Sequence, residues 1–439
     1  MPLISVVLAI FILLILVSKL RWNIFIALLI TTFIVGAING MNVSDILQSS
    51  LLGIGETMGK IVLIIVFGAM LGKLIEESGA AHTITYWFIS IFGEKRLPVA
   101  LMLTGFAIGL PMVYNASFLV LIPLVYTFAA TTRFPLVFLG IPLCATLSVA
   151  HGYLPPHPAP TAVAAMINAD INLTLLYGII IGIPAILLGG PFLARFYKNM
   201  IVVPPKELFT PREFSKEELP GIGTSLITVL IPIILMVAGA VYNLGFGGQG
   251  KLASFFSFIS DPNFALFFAV MVGIYTLGTR KGKSMDVVMK SLTGSVGSVS
   301  LIILIIASGG AFKQVLIDSG VGKYIEGVAH TLNASPLILA WGTAALLRLA
   351  LGSATVATIT AAGMMLPVIS GTNISPELVV LATGAGSLMF SHFNDTGFWM
   401  FKEYFNLSIK QTFMTWTLME CIVSTAGLLG VLLLNWIIT

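Results

Sequence analysis

GLPMVYNAS at residues 109–117 and LGSATVAT at residues 351–358 decide the predicted fold, because each stretch interrupts an apolar run with small and polar residues. The two runs lie in two copies of one unit. Glu77-Ser78-Gly79 recurs 241 residues later as Asp318-Ser319-Gly320, and Leu147 and His151 recur at the same offset as Leu388 and His392. A duplicated unit with interrupted hydrophobic segments at matching places is typical of secondary transporters whose site lies at the repeat interface.

The composition predicts an all-α polytopic membrane protein. Of the 439 residues, 57% are hydrophobic and 9% are charged, and the mean hydropathy is +1.03. These values exclude a soluble globule, because about 20 apolar residues make one membrane-spanning helix. The net charge of +4 indicates no nucleic-acid partner, and Cys144 and Cys421 lie in hydrophobic runs, where we expect buried thiols. About ten full transmembrane helices are expected: 3–18, 22–38, 58–75, 135–150, 174–196, 222–242, 262–278, 294–317, 376–391 and 412–436.

Segments 97–130 and 336–370 do not fit this count of simple spans. Each is too long for one crossing and too short for two helices and a turn, at about 1.5 Å rise per residue. Because the helix breakers stand at their centres, we expect two re-entrant helical hairpins whose tips meet near the middle of the bilayer. Amphipathic segments 80–93 and 322–333 precede the hairpins, and we expect them at the lipid interface.

The distribution of charge predicts the topology. If the first residue is outside, most of the 22 lysine and arginine residues fall on the inner side, as the positive-inside rule requires. Both termini are then periplasmic. Five crossings separate the copies, so the repeats are inverted. The expected organisation is an N-terminal helix pair (1–57), repeat 1 (58–197), a cytoplasmic linker (198–221), a connecting helix pair (222–293) and repeat 2 (294–439).

The hairpin tips are the first candidate substrate site. Half-helix ends at the midplane offer unpaired N–H groups to an anion, and the tips add neutral hydrogen-bonding side chains. The alternative is that small residues only allow close helix packing. The candidates are Tyr114, Asn115, Ser117, Gly352, Ser353 and Thr355.

Arg348 is the most informative charge, because it lies within LLRLALG at residues 346–352. An arginine within hydrocarbon is costly, and its guanidinium is suited to binding a carboxylate with two hydrogen bonds. The alternative is a structural salt bridge with Asp395 or Glu420.

The breaks after 135–150 and 376–391 supply the remaining candidates. We assign His151, His157, His392, Asn394 and Thr396 to substrate binding, and Asp395, His151 and Glu420 to proton coupling. A carboxylate partly removed from water can load and lose a proton during transport, although Asp395 could instead only hold the broken backbone around Thr396. Prolines between the first two histidines disrupt helical spacing, and no metal is expected. A structural histidine is the alternative for each of the three.

Several long motifs resemble the gluconate permease family of bacterial gluconate:proton symporters, within the ion-transporter superfamily. They are HGYLPPHPAPTA at 151–162, GGAFKQVLIDSG at 309–320, LGSATVATIT at 351–360 and SHFNDTGFWMFKEYF at 391–405. The resemblance runs over essentially the whole chain. It implies uptake of gluconate or a related sugar acid, two inverted hairpin-bearing repeats, a homodimer and an elevator-type movement of a transport domain against a scaffold. The HGYLPPHP form is similar to the sugar-acid members and not to the D-serine branch.

One position departs from that family. The family commonly has an aromatic residue followed by glutamate at the first tip, whereas this chain has Tyr114 followed by Asn115. If that acid carries a proton in relatives, this chain couples through Asp395 or a histidine, or couples weakly. An altered substrate preference or a mimic of the protonated acid are further explanations.

The sequence therefore predicts a proton-coupled importer of gluconate or a close sugar acid in the bacterial inner membrane, with no cofactor. Its partners are a small anionic substrate, protons, membrane lipid and a second copy of the chain. The alternatives are sodium coupling, or a substrate such as another small hydroxy acid or D-serine. A membrane-embedded enzyme is disfavoured because the chain has no H-E-x-x-H or G-x-S-x-G motif. A passive channel would not need two broken-helix hairpins.

Overall fold

A computed structural model describes residues 8–9, 11–13, 15–132, 134–202, 214–215, 217–246, 250, 252–320, 335–369, 372, 374–392 and 395–438. Every regular element in these ranges is helical, as the composition predicts. Eight helices among them are long and apolar enough to cross a membrane, by length and composition. The chain is thus a multi-pass membrane protein, and the count of ten full spans stays a prediction.

Among its described residues, the first half of the chain contains a π-helical turn at Ile15–Lys19 and eight α-helices. These are α1 (Ile24–Ile38), α2 (Val43–Ser78), α3 (Ala80–Phe92), α4 (Leu97–Gly109), α5 (Tyr114–Thr131), α6 (Leu136–Tyr153), α7 (Pro158–Ile167) and α8 (Ile171–Leu187), which continues through a π-helical turn and a 3-10 turn to Tyr197.

The second half contains ten α-helices in the described ranges. They are α9 (Ile222–Phe246), α10 (Ala253–Ser260), α11 (Pro262–Gly273), α12 (Met285–Asp318), α13 (Pro336–Leu351), α14 (Ala354–Ile369), α15 (Pro376–Gly386), α16 (Thr396–Tyr404), α17 (Ile409–Thr412) and α18 (Leu418–Ile438). A π-helical turn, Phe413–Thr417, joins the last two.

Helices α2 and α12 begin the two predicted repeats and pack along each other in opposite directions. Gly53 lies against Gly310, whereas Glu77, at the other end of α2, accepts a hydrogen bond from Ser291 Oγ at 2.7 Å. Both helices end beside a left-handed glycine of the repeated anchor, Gly79 with φ 75° and Gly320 with φ 74°. They are 36 and 34 residues long and start before the predicted spans 58–75 and 294–317, because the two helices pack along each other over the small and polar residues that precede those spans.

The first leg of each hairpin packs on the helix that follows the hairpin, so α4 lies on α6 and α13 lies on α15. Small residues permit the close approach: a Cβ at Gly386 would lie 2.2 Å from the carbonyl oxygen of Trp341. Both α6 and α15 are buried on nearly every side, which places them at the core of the molecule. The equivalent packing agrees with the correspondence that the sequence offset predicts.

Each predicted hairpin contains a helix break where the sequence places one, between Gly109 and Tyr114 and between Leu351 and Ala354. Helices α4, α13 and α14 have 13, 16 and 16 residues, short of a full span, whereas α5 has 18. Re-entry into the bilayer therefore stays a prediction. The predicted span 376–391 differs from the structure, because its helix α15 has only 11 residues and ends at Gly386.

The predicted interfacial segment 80–93 is a helix, α3. Segment 322–333 and half of the linker 198–221 lie outside the described residues. The division of the chain into the five predicted segments is untested by these elements and stays a prediction.

Candidate functional site

The tips of the two hairpins line one central cavity of about 400 Å³. This volume is within the range of roughly 300–1,000 Å³ that is usual for small-molecule sites. Its polar or aromatic lining side chains are Tyr114, Asn115, Ser148, His151, Arg348, Ser353, Thr355, Asp395, Thr396, Trp416 and Glu420. Its apolar and glycine lining comes from Ile24, Val113, Leu301, Ile302, Ile305, Leu351, Gly352, Ala354, Leu388 and Gly397. Most of the residues predicted to bind substrate are therefore close together in space.

Two helices present their N-termini to the central cavity. Helix α5 starts at Tyr114 after the extended residue Val113, and α14 starts at Ala354 after Ser353, whose Oγ accepts from the backbone N–H of Val356 at 3.4 Å. The first N–H groups of a helix lack partners within the helix, and the helix dipole adds positive potential there. Helix N-termini favour anions for this reason, so the two tips together make an environment of positive potential.

Arg348 adds a full positive charge to this environment. It lies in the last turn of α13 and is 4% exposed. Its Nη1 donates to the carbonyl oxygen of Gly352 at 2.6 Å, and its Nη2 forms an ion pair with Asp395 Oδ2. The salt bridge considered as the alternative is therefore present. The buried Nε has no partner among the described residues, which leaves one donor for a ligand.

Asp395 is the centre of a small hydrogen-bond network. Its Oδ2 also accepts from Ser391 Oγ, which in turn accepts from Trp416 Nε1 at 2.7 Å. Its Oδ1 accepts from the backbone N–H of Gly397 at 3.0 Å and so caps α16. The contact expected of a structural role is thus present, together with a position on the cavity wall.

Glu420 is a second buried carboxyl group on the cavity wall and is 1% exposed. Its Oε1 accepts from Ser148 Oγ at 2.5 Å, and its Oε2 has no partner in the described part of the chain. The Nδ1 of His151 likewise has none. Buried polar atoms are normally hydrogen-bonded, so unpartnered ones beside a cavity indicate a place for a ligand or water.

His157 and His392 contact backbone carbonyl oxygens, whereas His151 lines the central cavity. Nε2 of His157 donates to the carbonyl oxygen of Gly109 at 2.6 Å, and Nε2 of His392 donates to that of Leu349 at 3.1 Å. Both carbonyls are in the last turn of a first hairpin leg, where helix geometry leaves C=O groups unpaired. These two histidines therefore hold the hairpin ends and do not line the central cavity.

Two other predicted residues lie away from the cavity wall or beyond the described ranges. Ser117 is buried, and its Oγ donates to the carbonyl oxygens of Met112 and Val113, each at 3.3 Å. Asn394 lies outside the described residues.

Two of the polar or aromatic lining residues, Ser148 and Trp416, were not predicted. Ser148 lies one turn before His151, and Trp416 lies one turn before Glu420, so each shares a helix face with a residue that was predicted. Helical periodicity along α6, and along the π-helical turn that leads into α18, could have found them.

Over its whole length, the chain is similar to known permeases. Residues 1–437 match the model of the GntP family permease. The chain is 45% identical over 438 residues to a high-affinity gluconate transporter of Escherichia coli K12, with 100% of both chains covered. It is 46% identical to the Gnt-II system L-idonate transporter of the same strain, with 99% of each covered, and 43% identical to the gluconate permease of Bacillus subtilis 168, with 100% of each covered.

Two solved structures share the fold. MtrF of Neisseria gonorrhoeae, described as illuminating a class of antimetabolite efflux pumps, superposes with a TM-score of 0.65 at 16% identity and 94% coverage of both chains. The YdaH transporter of Alcanivorax borkumensis superposes with a TM-score of 0.57 at 18% identity, covering 88% of this chain and 86% of that one. The prediction of a transporter and not an enzyme is confirmed by the family model and the relatives. The chain belongs to the GntP permease family.

Proposed function

We propose that this protein imports gluconate or a closely related sugar acid together with a proton across the bacterial inner membrane. The observation that carries the proposal is the convergence of two helix N-termini and Arg348 on one cavity. Two helix N-termini, and a guanidinium once Asp395 no longer neutralises it, fit a small anion. Several relatives over the whole length are named gluconate or idonate transporters, and this favours a sugar acid among small anions.

The substrate carboxylate would meet Arg348 and the free N–H groups of the tips. A guanidinium binds a carboxylate with two parallel hydrogen bonds when two of its nitrogens are available. The unpartnered Nε is already available, and Nη2 becomes available when Asp395 leaves it. The hydroxyl groups of a sugar acid would bind Asn115, Ser353, Thr355 and Thr396, all on the cavity wall.

The ion pair between Arg348 and Asp395 suggests how a proton couples to the substrate. The carboxylate of Asp395 and that of the substrate compete for one guanidinium. A proton on Asp395 removes its negative charge, weakens the pair and leaves Arg348 for the substrate. Proton and substrate then bind cooperatively, as symport requires. Glu420 is the second candidate carrier, whereas Asn115 cannot carry the proton that a glutamate there would carry.

The wider architecture is proposed on the same basis. The antiparallel packing of α2 and α12, and the equivalent packing of α4 on α6 and α13 on α15, support inverted repeats. Re-entrant hairpins, periplasmic termini, a homodimer and an elevator movement follow from the charge distribution and from the family resemblance.

Reconstituted protein tests the proposal directly. Proteoliposomes loaded with unlabelled gluconate should accumulate labelled gluconate by counterflow, and idonate should compete better than lactate or D-serine. An imposed pH gradient, acidic outside, should drive concentrative uptake at constant sodium. Uptake driven by a sodium gradient alone would refute proton coupling, and absence of counterflow with every sugar acid would refute the substrate class.

A further inference from the structure

A second polar cavity lies next to the central cavity and takes no part in the site described above. Its volume is about 420 Å³, and it lies between α2, α12 and the tip of the first hairpin. We call it the lysine cavity, lined by Gly68, Ala69, Gly72, Lys73, Glu76, Met112, Val113, Ala116, Lys290, Ser291, Gly294, Ser295 and Ser298.

The two cavities are adjacent along one helix and share one wall. On α12, residues 290–298 line the lysine cavity and residues 301–305 line the central cavity, so about 4.5 Å of helix rise separates Ser298 from Leu301. Val113, just before the first residue of α5, lines both. The tip of the first hairpin is therefore a partition between two compartments, in contact with α2 where a Cβ at Gly72 would lie 3.1 Å from Met112 Cγ.

The charge of the lysine cavity favours an anion. Lys73 is offset by Glu76 at 3.2 Å and Glu77 at 3.6 Å, and Glu77 also contacts Lys283 at 3.4 Å. Lys290 is exposed and forms no salt bridge within the described residues. The lining side chains thus carry a net positive charge, on the side of the membrane that the distribution of lysine and arginine makes cytoplasmic.

We propose that the lysine cavity is the release vestibule of the transporter, which receives the substrate carboxylate from the central cavity past Val113. This inference rests on the proposed import of a sugar acid. Lys290 would attract the anion weakly, because an exposed charge is hydrated and screened. Weak attraction suits release: it raises the local anion concentration without retaining the anion. Gly68 and Gly294, where an added Cβ would meet nothing within 4 Å, leave room for a polyhydroxylated molecule.

Removal of the Lys290 charge is the first test. The Lys290→Gln variant should slow gluconate counterflow about threefold to tenfold at low ionic strength, and the defect should shrink in high salt. Gluconate affinity at the central cavity, measured by substrate-induced thermal stabilisation, should not change. The matched control is Lys410→Gln, at an exposed lysine outside both cavities, which should behave as wild type. Equal rates for the two variants, or a defect independent of salt, would overturn the vestibule.

Chemical blockade is the second test and needs no charge argument. In a background with Cys144→Ser and Cys421→Ser, Ser298→Cys is treated in detergent with 2-sulfonatoethyl methanethiosulfonate. The thiolate displaces methanesulfinate and forms a mixed disulfide bearing a sulfonate. Gluconate present during the treatment should slow the labelling. After reconstitution, the labelled Ser298→Cys protein should have lost counterflow. The control, Lys410→Cys labelled to the same increase in mass, should remain active.

The outcomes separate this inference from the proposed function. Full labelling at position 298 with retained counterflow, or no labelling of that thiol, contradicts the vestibule. Failure of counterflow by the unlabelled wild-type protein with every sugar acid contradicts the proposed function instead. If the cysteine-free protein is itself inactive, the comparison of Lys290→Gln with Lys410→Gln still tests the vestibule, because both variants keep Cys144 and Cys421.

Discussion

Asp395→Asn is the change that probes the proposed coupling of proton and substrate most sharply. Asparagine retains an oxygen that can accept from the backbone N–H of Gly397, so the cap of α16 survives. It removes the negative charge that faces Arg348. The guanidinium keeps its hydrogen bond to the Gly352 carbonyl oxygen at 2.6 Å and loses its ionic partner.

The expected magnitude follows from the burial of the pair. Removing one partner of a buried salt bridge costs about 3–5 kcal/mol, because it leaves an unpaired charge. A substrate carboxylate can take the vacated place and restore part of that free energy. If it restores about 1.4–2.8 kcal/mol, the affinity for gluconate rises roughly 10- to 100-fold relative to the wild type.

Thermal unfolding and transport together measure these effects. Without substrate, the melting temperature of Asp395→Asn should be lower than that of the wild type. Saturating gluconate should raise the melting temperature of the variant by more than it raises that of the wild type. Wild-type affinity should increase as the pH falls, whereas affinity of the variant should not follow the pH. Counterflow should persist in the variant, and accumulation driven by a pH gradient should be lost.

The matched control is Glu403→Gln. Glu403 pairs with Lys402 at 2.7 Å but its side chain is 58% exposed. Surface pairs contribute only about 0–1 kcal/mol, so this variant should resemble the wild type in every assay. Retained proton-driven accumulation in Asp395→Asn, or lower stability with no gain in gluconate affinity, would refute competition for Arg348.

Three further changes test separate parts of the structure. Arg348→Lys keeps the charge but has no planar fork that could form two parallel hydrogen bonds to a carboxylate while also donating to the Gly352 carbonyl oxygen. Gluconate affinity by calorimetry should therefore fall about 10- to 150-fold, from a loss of about 1.5–3 kcal/mol; unchanged affinity contradicts the assignment. Asn115→Glu puts an acid on the cavity wall, so gluconate binding should weaken at neutral pH and recover on acidification. Binding that does not depend on pH would contradict the placement of residue 115 beside the substrate. Gly53→Ala places a Cβ 2.2 Å from the Gly310 carbonyl oxygen, so the protein should lose about 1–3 kcal/mol of stability, whereas Gly55→Ala, with nothing within 4 Å, should not.

Local sequence signals were sufficient for the hairpin breaks. Pro111, Gly352 and Ser353 interrupt apolar runs, and the structure breaks its helices at those places. Hydropathy was less informative about helix ends. Residues 43–57 include three serines, two glycines, one aspartate and one glutamate, yet α2 starts at Val43, because the partner helix α12 packs along it.

The site could be predicted as a set of residues but not as a set of contacts. Asp395 and Glu420 were equal candidates for pairing with Arg348, and only the folded backbone brings Asp395 to Nη2. The histidines illustrate the same limit. His151 and His392 are equivalent by the sequence offset. In the structure, however, His392 contacts the end of the second hairpin's first leg, and His157, not His151, makes the corresponding contact in the first hairpin. Duplication preserved the spacing, whereas the proline-rich chain after Tyr153 changed which ring reaches the carbonyl.

A structure determined by electron cryomicroscopy with gluconate at acidic pH tests the central claim most directly. We predict density for the substrate between the two hairpin tips, with its carboxylate within hydrogen-bond distance of the Arg348 guanidinium and Asp395 withdrawn from Nη2. Gluconate bound elsewhere, or bound in the cavity while Arg348 and Asp395 remain paired and neither tip touches the carboxylate, would contradict the account.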